Sequence, residues 1–248
     1  MSDDTLDIQG EADPLGFLNS YILESIRAGQ YYLLIGAGAS VGERNRLGLN
    51  LPLGDQLSDE IREYYGVGDE PMGLQRLTEV VKELFEEGKT PLEDYLTNRF
   101  FGCSYSWQTK IFEFTWAAIW SLNIDDVLEN AASAAIPRKR TKSFTWRDPY
   151  SNAPSDTQQI IHLHGYVNQM PKTNYIFSIL EYANAISEKK TWHSIFSDTL
   201  PNRPYIIIGT KLADEFDLAS AISRLAERLD DGQPTIFVSP GISPITEK

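Results

Sequence analysis

Cysteine occurs once in the 248 residues, at Cys103. A lone thiol closes no internal disulfide and cannot supply a four-cysteine zinc site. Histidine is nearly as scarce, with three copies. His162 and His164 are two apart, but no third ligand follows at metal-binding spacing, so a metal pair there is the weaker reading. Cations are under-represented: 22 lysines and arginines face 35 acids, for a net charge of −13. That balance argues against sequence-independent nucleic-acid binding, which needs a positive field to displace counterions. No apolar run is long enough to span a bilayer, and no basic-then-apolar leader opens the chain. Together these absences predict a cytoplasmic protein with no membrane contact.

What is present is ordinary globular material, 42% hydrophobic and 23% charged, enough for a real core. Residues 1–13 are acidic and aperiodic and read as a frayed tail. Pro14 to Ala28 has helical spacing, with Gly29 as its stop. Tyr31 to Ile35 is a short, wholly apolar run, as expected of a strand buried on both faces of a parallel sheet. Helical periodicity then covers Asp55–Tyr65, Leu74–Phe85, Leu92–Phe100 and Trp107–Thr115. This block, about residues 55–116, interrupts the strand–helix alternation and reads as a helical insertion beside the sheet. Further strands are predicted at Ala118–Leu122, Gln159–Leu163, Asn174–Ser178, Tyr205–Ile208 and Thr235–Val238, and a helix at Asp214–Leu229. Pro137–Asp156, holding Arg138, Lys139, Arg140 and Lys142, reads as a solvated polar connection. The fold class is therefore α/β, a doubly wound, mostly parallel sheet of Rossmann-like type, over residues 14–240. Residues 241–248 read as the opening of a further segment.

Ligands of such sheets sit beyond the carboxyl ends of the strands, and four polar motifs fall there. Gly36-Ala37-Gly38-Ala39-Ser40 follows the first strand. It is either a dinucleotide turn, its amides at the positive end of the next helix, or a tight strand–helix turn that binds nothing. Val41 stands where a dehydrogenase has its third glycine, and no acid closes a second strand about twenty residues on, which disfavours an ordinary dehydrogenase. Asn123, Asp125 and Asp126 close the next strand; they either present an amide and a carboxylate to a ligand or cap the following helix. His164, just before Gly165, stands at a strand mouth where an imidazole can take a proton near neutral pH. Gly209-Thr210 follows another buried run, the glycine permitting close approach and the threonine offering a hydroxyl.

In this order the motifs resemble the sirtuin (silent information regulator) superfamily, with its Gly-Ala-Gly-x-Ser turn, Gln-Asn-x-Asp motif, His-Gly pair and Gly-Thr-Ser-Leu segment. Here they stand as Gly36–Ser40, Leu122–Asp125, His164–Gly165 and Gly209–Leu212. The chain departs from the family at Leu122 for glutamine and Lys211 for serine. Leu51-Pro52-Leu53-Gly54-Asp55 stands where the family has Asp-Phe-Arg after the first turn. The four-cysteine zinc ribbon of the deacylases is absent. In these departures the chain is similar to the zinc-free sirtuin-like domains of bacterial anti-phage defence proteins, which hydrolyse NAD. The resemblance implies NAD as substrate, no metal, a catalytic role for Asn123, Asp125 and His164 (the general base), and a pyrophosphate grip by Gly36, Ala37, Gly38, Ala39 and Ser40. It also implies that Asn123 and Asp125 contact the nicotinamide side and that Gly209, Thr210 and Ser239 face the adenosine half. A fused or separate sensor of phage and a homo-oligomer are the expected partners, with no nucleic acid bound directly. An inactive NAD- or ADP-ribose-sensing module and an NAD-dependent deacylase are the alternatives.

Overall fold

The computed structural model describes residues 20–68, 72–84, 88–168, 175–187, 192–210, 222–224 and 234–238. Helix α1 (Ser20–Arg27) leads into strand β1 (Tyr32–Ile35) and then one turn of 3-10 helix, Ala37–Ser40. Helices α2 (Gly54–Tyr65), α3 (Leu74–Glu83) and α4 (Leu92–Phe100) and a second 3-10 segment, Trp107–Glu113, precede β2 (Ile119–Ser121). There follow α5 (Val127–Ala134), β3 (Arg140–Thr145), β4 (Thr157–His162), α6 (Ile179–Ser187), α7 (Trp192–Thr199), β5 (Tyr205–Ile208) and β6 (Ile236–Val238).

Among the described residues six strands form one sheet in the order β3-β4-β2-β1-β5-β6, and their pairings are all parallel. Helices cover both faces, so the strands are apolar on both sides. Leu33 and Ile35 of β1 join Ile119 and Ile160 under α1, α5 and the second 3-10 segment. Leu34 points the other way, to Trp120, Ile161 and Ile207 beneath Trp192 and Phe196 of α7. The side-chain period of two makes this division automatic. After β1 the chain lays β2, β4 and β3 to one side, then crosses back to place β5 and β6 on the other. The switch point thus lies between β1 and β5, where doubly wound sheets open a crevice.

Register brings the strand ends level. Ile35 pairs with both Ser121 and Ile208, Ser121 with His162, His162 with Thr145, and Ile208 with Val238. The residues just beyond that row therefore share one edge. The helical insertion covers part of it: Leu57, Ile61, Leu77, Val81, Leu96 and Phe100 share a core with Ile124, Val127 and Val167, which follow β2 and β4. Helices α2 to α4 of the insertion thus cap the carboxyl edge, while the second 3-10 segment packs on a face of the sheet.

Several expectations need correction. The polar connection Pro137–Asp156 contains strand β3, paired over Arg140–Thr145 with Thr157–His162. Its charges misled because Arg140 and Lys142 point to solvent while Thr141 and Ser143 are half-buried, the alternation of an edge strand. The predicted strand Asn174–Ser178 is not one. Within its described part, Tyr175–Ser178, Ile176 makes one backbone bond to the His164 carbonyl (3.0 Å), and Ser178 begins a helix. Glu181 Oε2 accepts the Ser178 N–H at 2.9 Å and Ser178 Oγ accepts the Glu181 N–H at 3.2 Å, a reciprocal cap whose Ser-x-x-Glu spelling was in the sequence. Trp107–Glu113 is 3-10, not α. Of the helix expected at Asp214–Leu229, residues 222–224 are helical and the rest lie outside the described residues. No helix among the described residues is long and apolar enough to cross a membrane.

Candidate active site

The glycine turn does not open an α-helix as expected; it makes one 3-10 turn and then a hairpin bridged at Arg44 and Asn50. Its amides are largely taken inside the protein. Gly36 N–H donates to Ile208 O (2.9 Å), Gly38 N–H to Gly209 O (2.7 Å) and Ala39 N–H to Gly36 O (2.9 Å). The reason for glycine is close approach. A Cβ on Gly36 would lie 2.5 Å from Thr210 Cβ, and one on Gly38 2.9 Å from Gly209 Cα. A Cβ on Gly209, whose φ is +72°, would lie 2.1 Å from Ala39 N. The turns after β1 and β5 thus close upon each other backbone to backbone, leaving Ala37 and Gly38 exposed at the crest.

Asn123 and Asp125 join this turn from β2. Asn123 Nδ2 donates to Gly36 O (3.2 Å) and to Ser40 Oγ (3.1 Å), and Ser40 Oγ donates to Asp125 Oδ2 (3.0 Å). Asp125 Oδ1 accepts the N–H of Val127, the first residue of α5, at 3.1 Å; Asp126 holds the N-cap position, and the Asn123 side chain turns to the glycine turn instead. Burial pushes the Asp125 carboxyl up to about 6, although the Val127 and Ser40 bonds and His162 pull the other way. Asp126 faces elsewhere. It accepts the Gly102 and Cys103 amides at 2.9 and 2.8 Å, tying α5 to the end of the insertion.

His164 lies buried in the turn just after β4, with its ring edge-on to Tyr182 of α6 (5.3 Å, 80°) and the left-handed Gly165 behind it. Helix α6 is held in turn from the insertion, where Lys82 bonds Glu181. Thr210 packs against the first turn through Gly36. Ser239 lies outside the described residues. Gly36, Ser40, Asn123 and Asp125 are therefore one hydrogen-bonded unit, adjoined by Gly209 and Thr210, with His164 at the mouth of the strand next to β2.

Sequence reasoning missed three supports. Gln108 is buried and donates to Ala39 O (2.9 Å), bracing the turn from the insertion. Glu43 accepts hydroxyls from Ser104 (2.6 Å) and Ser106, fixing Gly42–Gly54, which is therefore a stapled hairpin here rather than a free loop. Glu129 bonds His162 across the sheet end. Of the three, Gln108 alone carried a signal, as a polar residue inside an expected helical period; Glu43 and Glu129 lie outside the periods read in the sequence.

Among the described residues no three His, Cys, Asp or Glu gather as a metal site. Cys103 is buried, and burial pushes its thiol well up, the setting of an inert cysteine.

A doubly wound parallel sheet with polar groups converging at its switch point defines a Rossmann-like α/β protein. Residues 117–245, just over half the chain, match the SIR2-like domain family, and the chain belongs to that family. Membership ties its function to NAD. The matched span includes Asn123, Asp125, His164, Gly209, Thr210 and Ser239, while the glycine turn precedes it. No curated protein matches the chain.

Proposed function

We propose that the chain is an NAD glycohydrolase, cleaving the nicotinamide–ribose bond to nicotinamide and ADP-ribose. The observation that carries this reading is the Asn123–Ser40–Asp125 unit at the switch point, with His164 at the neighbouring strand mouth. The chemistry asks little of an acid catalyst. Nicotinamide departs neutral from a cationic substrate, so the site must position the sugar, favour developing positive charge and deliver water. With Nδ2 of Asn123 taken by Gly36 and Ser40, the amide offers Oδ1 to orient a ribose hydroxyl or the attacking water. Asp125, ionised above pH 6, favours the oxocarbenium-like sugar. His164 accepts the proton, directly or through a ribose hydroxyl. The pyrophosphate crosses the exposed Ala37–Gly38 crest, and Thr210 serves the adenosine half, the role the resemblance also gives Ser239.

In this reading the domain depletes NAD in anti-phage defence under a fused or separate sensor, and it works as an oligomer. The hairpin that follows the glycine turn supports self-association, because Leu47 and Leu49 are 65% and 51% exposed beside Tyr64. Specific activity should then rise with protein concentration in step with mass by light scattering; a monomer of constant activity removes the oligomer from the proposal.

Incubation with NAD, following nicotinamide release with and without an acyl-lysine peptide, is the direct test. Release without peptide is expected. Release only with peptide makes the chain a deacylase, and binding without release makes it a sensing module. His164→Ala and Asn123→Ala should each lower turnover by about 100- to 10,000-fold while the protein stays folded. Near-wild-type turnover in either, at matched thermal stability, overturns its assigned role.

A further inference from the structure

His162 is wholly buried one strand away from the glycine turn, and the cleavage chemistry gives it no part. Its Nδ1 lies 2.8 Å from the carbonyl oxygen of Asn123, and its Nε2 lies 2.9 Å from Glu129 Oε1. A carbonyl oxygen can only accept, so Nδ1 carries a proton. Glu129 Oε1 already takes the Ser143 hydroxyl at 2.5 Å, and a carboxylate oxygen so placed accepts from Nε2 as well. Both ring nitrogens thus face oxygens able to accept, the arrangement that suits an imidazolium paired with a carboxylate. Tyr166 stacks on its face at 4.4 Å and 19°, a favourable neighbour for a cation.

The groups facing this ring come from four elements. Glu129 is on α5, Ser143 on β3, Asp125 on the β2–α5 connection, and Tyr166 beyond β4. Burial alone would strip the ring of its charge. The attraction and hydrogen bond of Glu129, with the Asn123 carbonyl and Asp125, outweigh it and raise the imidazole above its ordinary value. The acceptor at Nδ1 matters most. The Asn123 carbonyl also receives the Ser121 hydroxyl at 3.2 Å, and the Asn123 N–H donates to that same hydroxyl oxygen at 3.1 Å. The peptide groups on both sides of Asn123 are thus clamped, and its amide reaches Gly36 and Ser40 from a fixed base.

We propose that His162 is the positioning residue of this site: as an imidazolium held by Glu129, it locks the Asn123 backbone and so aims the Asn123 amide. The assignment rests on the reading of Asn123 as the residue that orients the sugar. Loss of the ring proton at high pH breaks the Glu129 pair, loosens the lock and lowers kcat, while the pyrophosphate and adenosine contacts, and with them KM, are left in place.

The lock has a readout that needs no activity. Nitrogen NMR of the imidazoles, with His162 assigned by its loss in His162→Gln, should show both ring nitrogens protonated at pH 7, and the Ile124 amide resonance should titrate together with the ring. A neutral ring at pH 7, or an Ile124 amide that ignores the titration, overturns the proposal. Kinetics test the consequence. Glu129→Gln keeps the shape and removes the counter-charge, so the high-pH limb of kcat should move down by about one unit, a roughly tenfold loss just above it, with KM within about twofold. His162→Lys keeps a permanent cationic donor and should push that limb out of the neutral range. If both variants change melting temperature without moving the limb, His162 is structural only. Should wild-type protein cleave no NAD at any pH, the glycohydrolase reading fails, and the NMR titration alone decides the lock.

Discussion

Asp125 shows at the scale of one residue how a site is held against stability. Its carboxyl ionises at about 6 in the folded protein against an ordinary 3.8, because it is buried, and among the described residues the Ser40 hydroxyl and the Val127 amide donate to it. A raised carboxyl means that the folded state holds this proton more tightly than the unfolded chain. Its contribution is full below about pH 4 and is lost as pH rises through 6, a fall of about 3 kcal/mol in all. Asp125→Asn keeps one oxygen for the Val127 N–H, presents an amide N–H that the Ser40 hydroxyl oxygen can accept, and carries no charge. It should therefore lack that slope and be more stable than wild type at pH 7.5, while turning over NAD more slowly. Denaturant unfolding at pH 4, 5, 6 and 7.5 checks this; coincident slopes in the two proteins would sink it. The motif spelling of Asn123 and Asp125 was legible in the sequence, but their division of labour was not. Helix capping and ligand presentation use the same residue types, and which carboxylate or amide meets the first helical amide depends on where Val127 ends up.

At the scale of elements, the two turns after β1 and β5 form a single object. Glycine at 36, 38 and 209 is required for different reasons from glycine elsewhere. Gly209→Ala combines a strained φ with a collision against backbone at Ala39 that no rotamer relieves. It should destabilise by about 3 kcal/mol or more, in the range of severe backbone lesions. Gly54, the first residue of α2, is exposed with open space around its would-be Cβ. Gly54→Ala should raise stability by about 0.5 kcal/mol by restricting the unfolded chain. Thermal melts of the pair suffice, and similar shifts for both would deny that the turns interlock. The same logic explains the strand that charge concealed. Arg140 and Lys142 mark β3 as an edge that repels further strands, so a basic run and a strand were never alternatives.

At the largest scale, the insertion shares its core with the segments that follow β2 and β4, which predicts one cooperative unit. Ile124 sits between the two site residues of its loop and is buried in the insertion's core, 4% exposed. Ile124→Ala should cost about 2–4 kcal/mol and lower turnover, because the cavity opens under the loop that carries Asn123 and Asp125. Unfolding should remain a single transition by aromatic circular dichroism and by fluorescence. Two separated transitions would show that the insertion is an independent domain. Metal independence is the other global expectation: a chelator should leave the melting temperature unchanged, and stoichiometric zinc in the pure protein would contradict it.

The sequence by itself determined the fold class, because wholly apolar strand runs ending in glycine or polar residues, separated by helical periods, admit little besides a buried parallel sheet. It also placed Gly36, Asn123, His164 and Gly209 just beyond the strand ends, since each follows a run rich in apolar residues. Tertiary structure decided what those residues touch. Gly38 lost its amide to Gly209, Asn123 became the partner of Ser40, and His162 and Glu129, 33 positions apart, met only because β4 lies beside β2 and α5 returns over their ends. Periodicity is a local property that survives in the chain. Hydrogen-bond partnership across strands depends on register and crossover, which no single segment encodes.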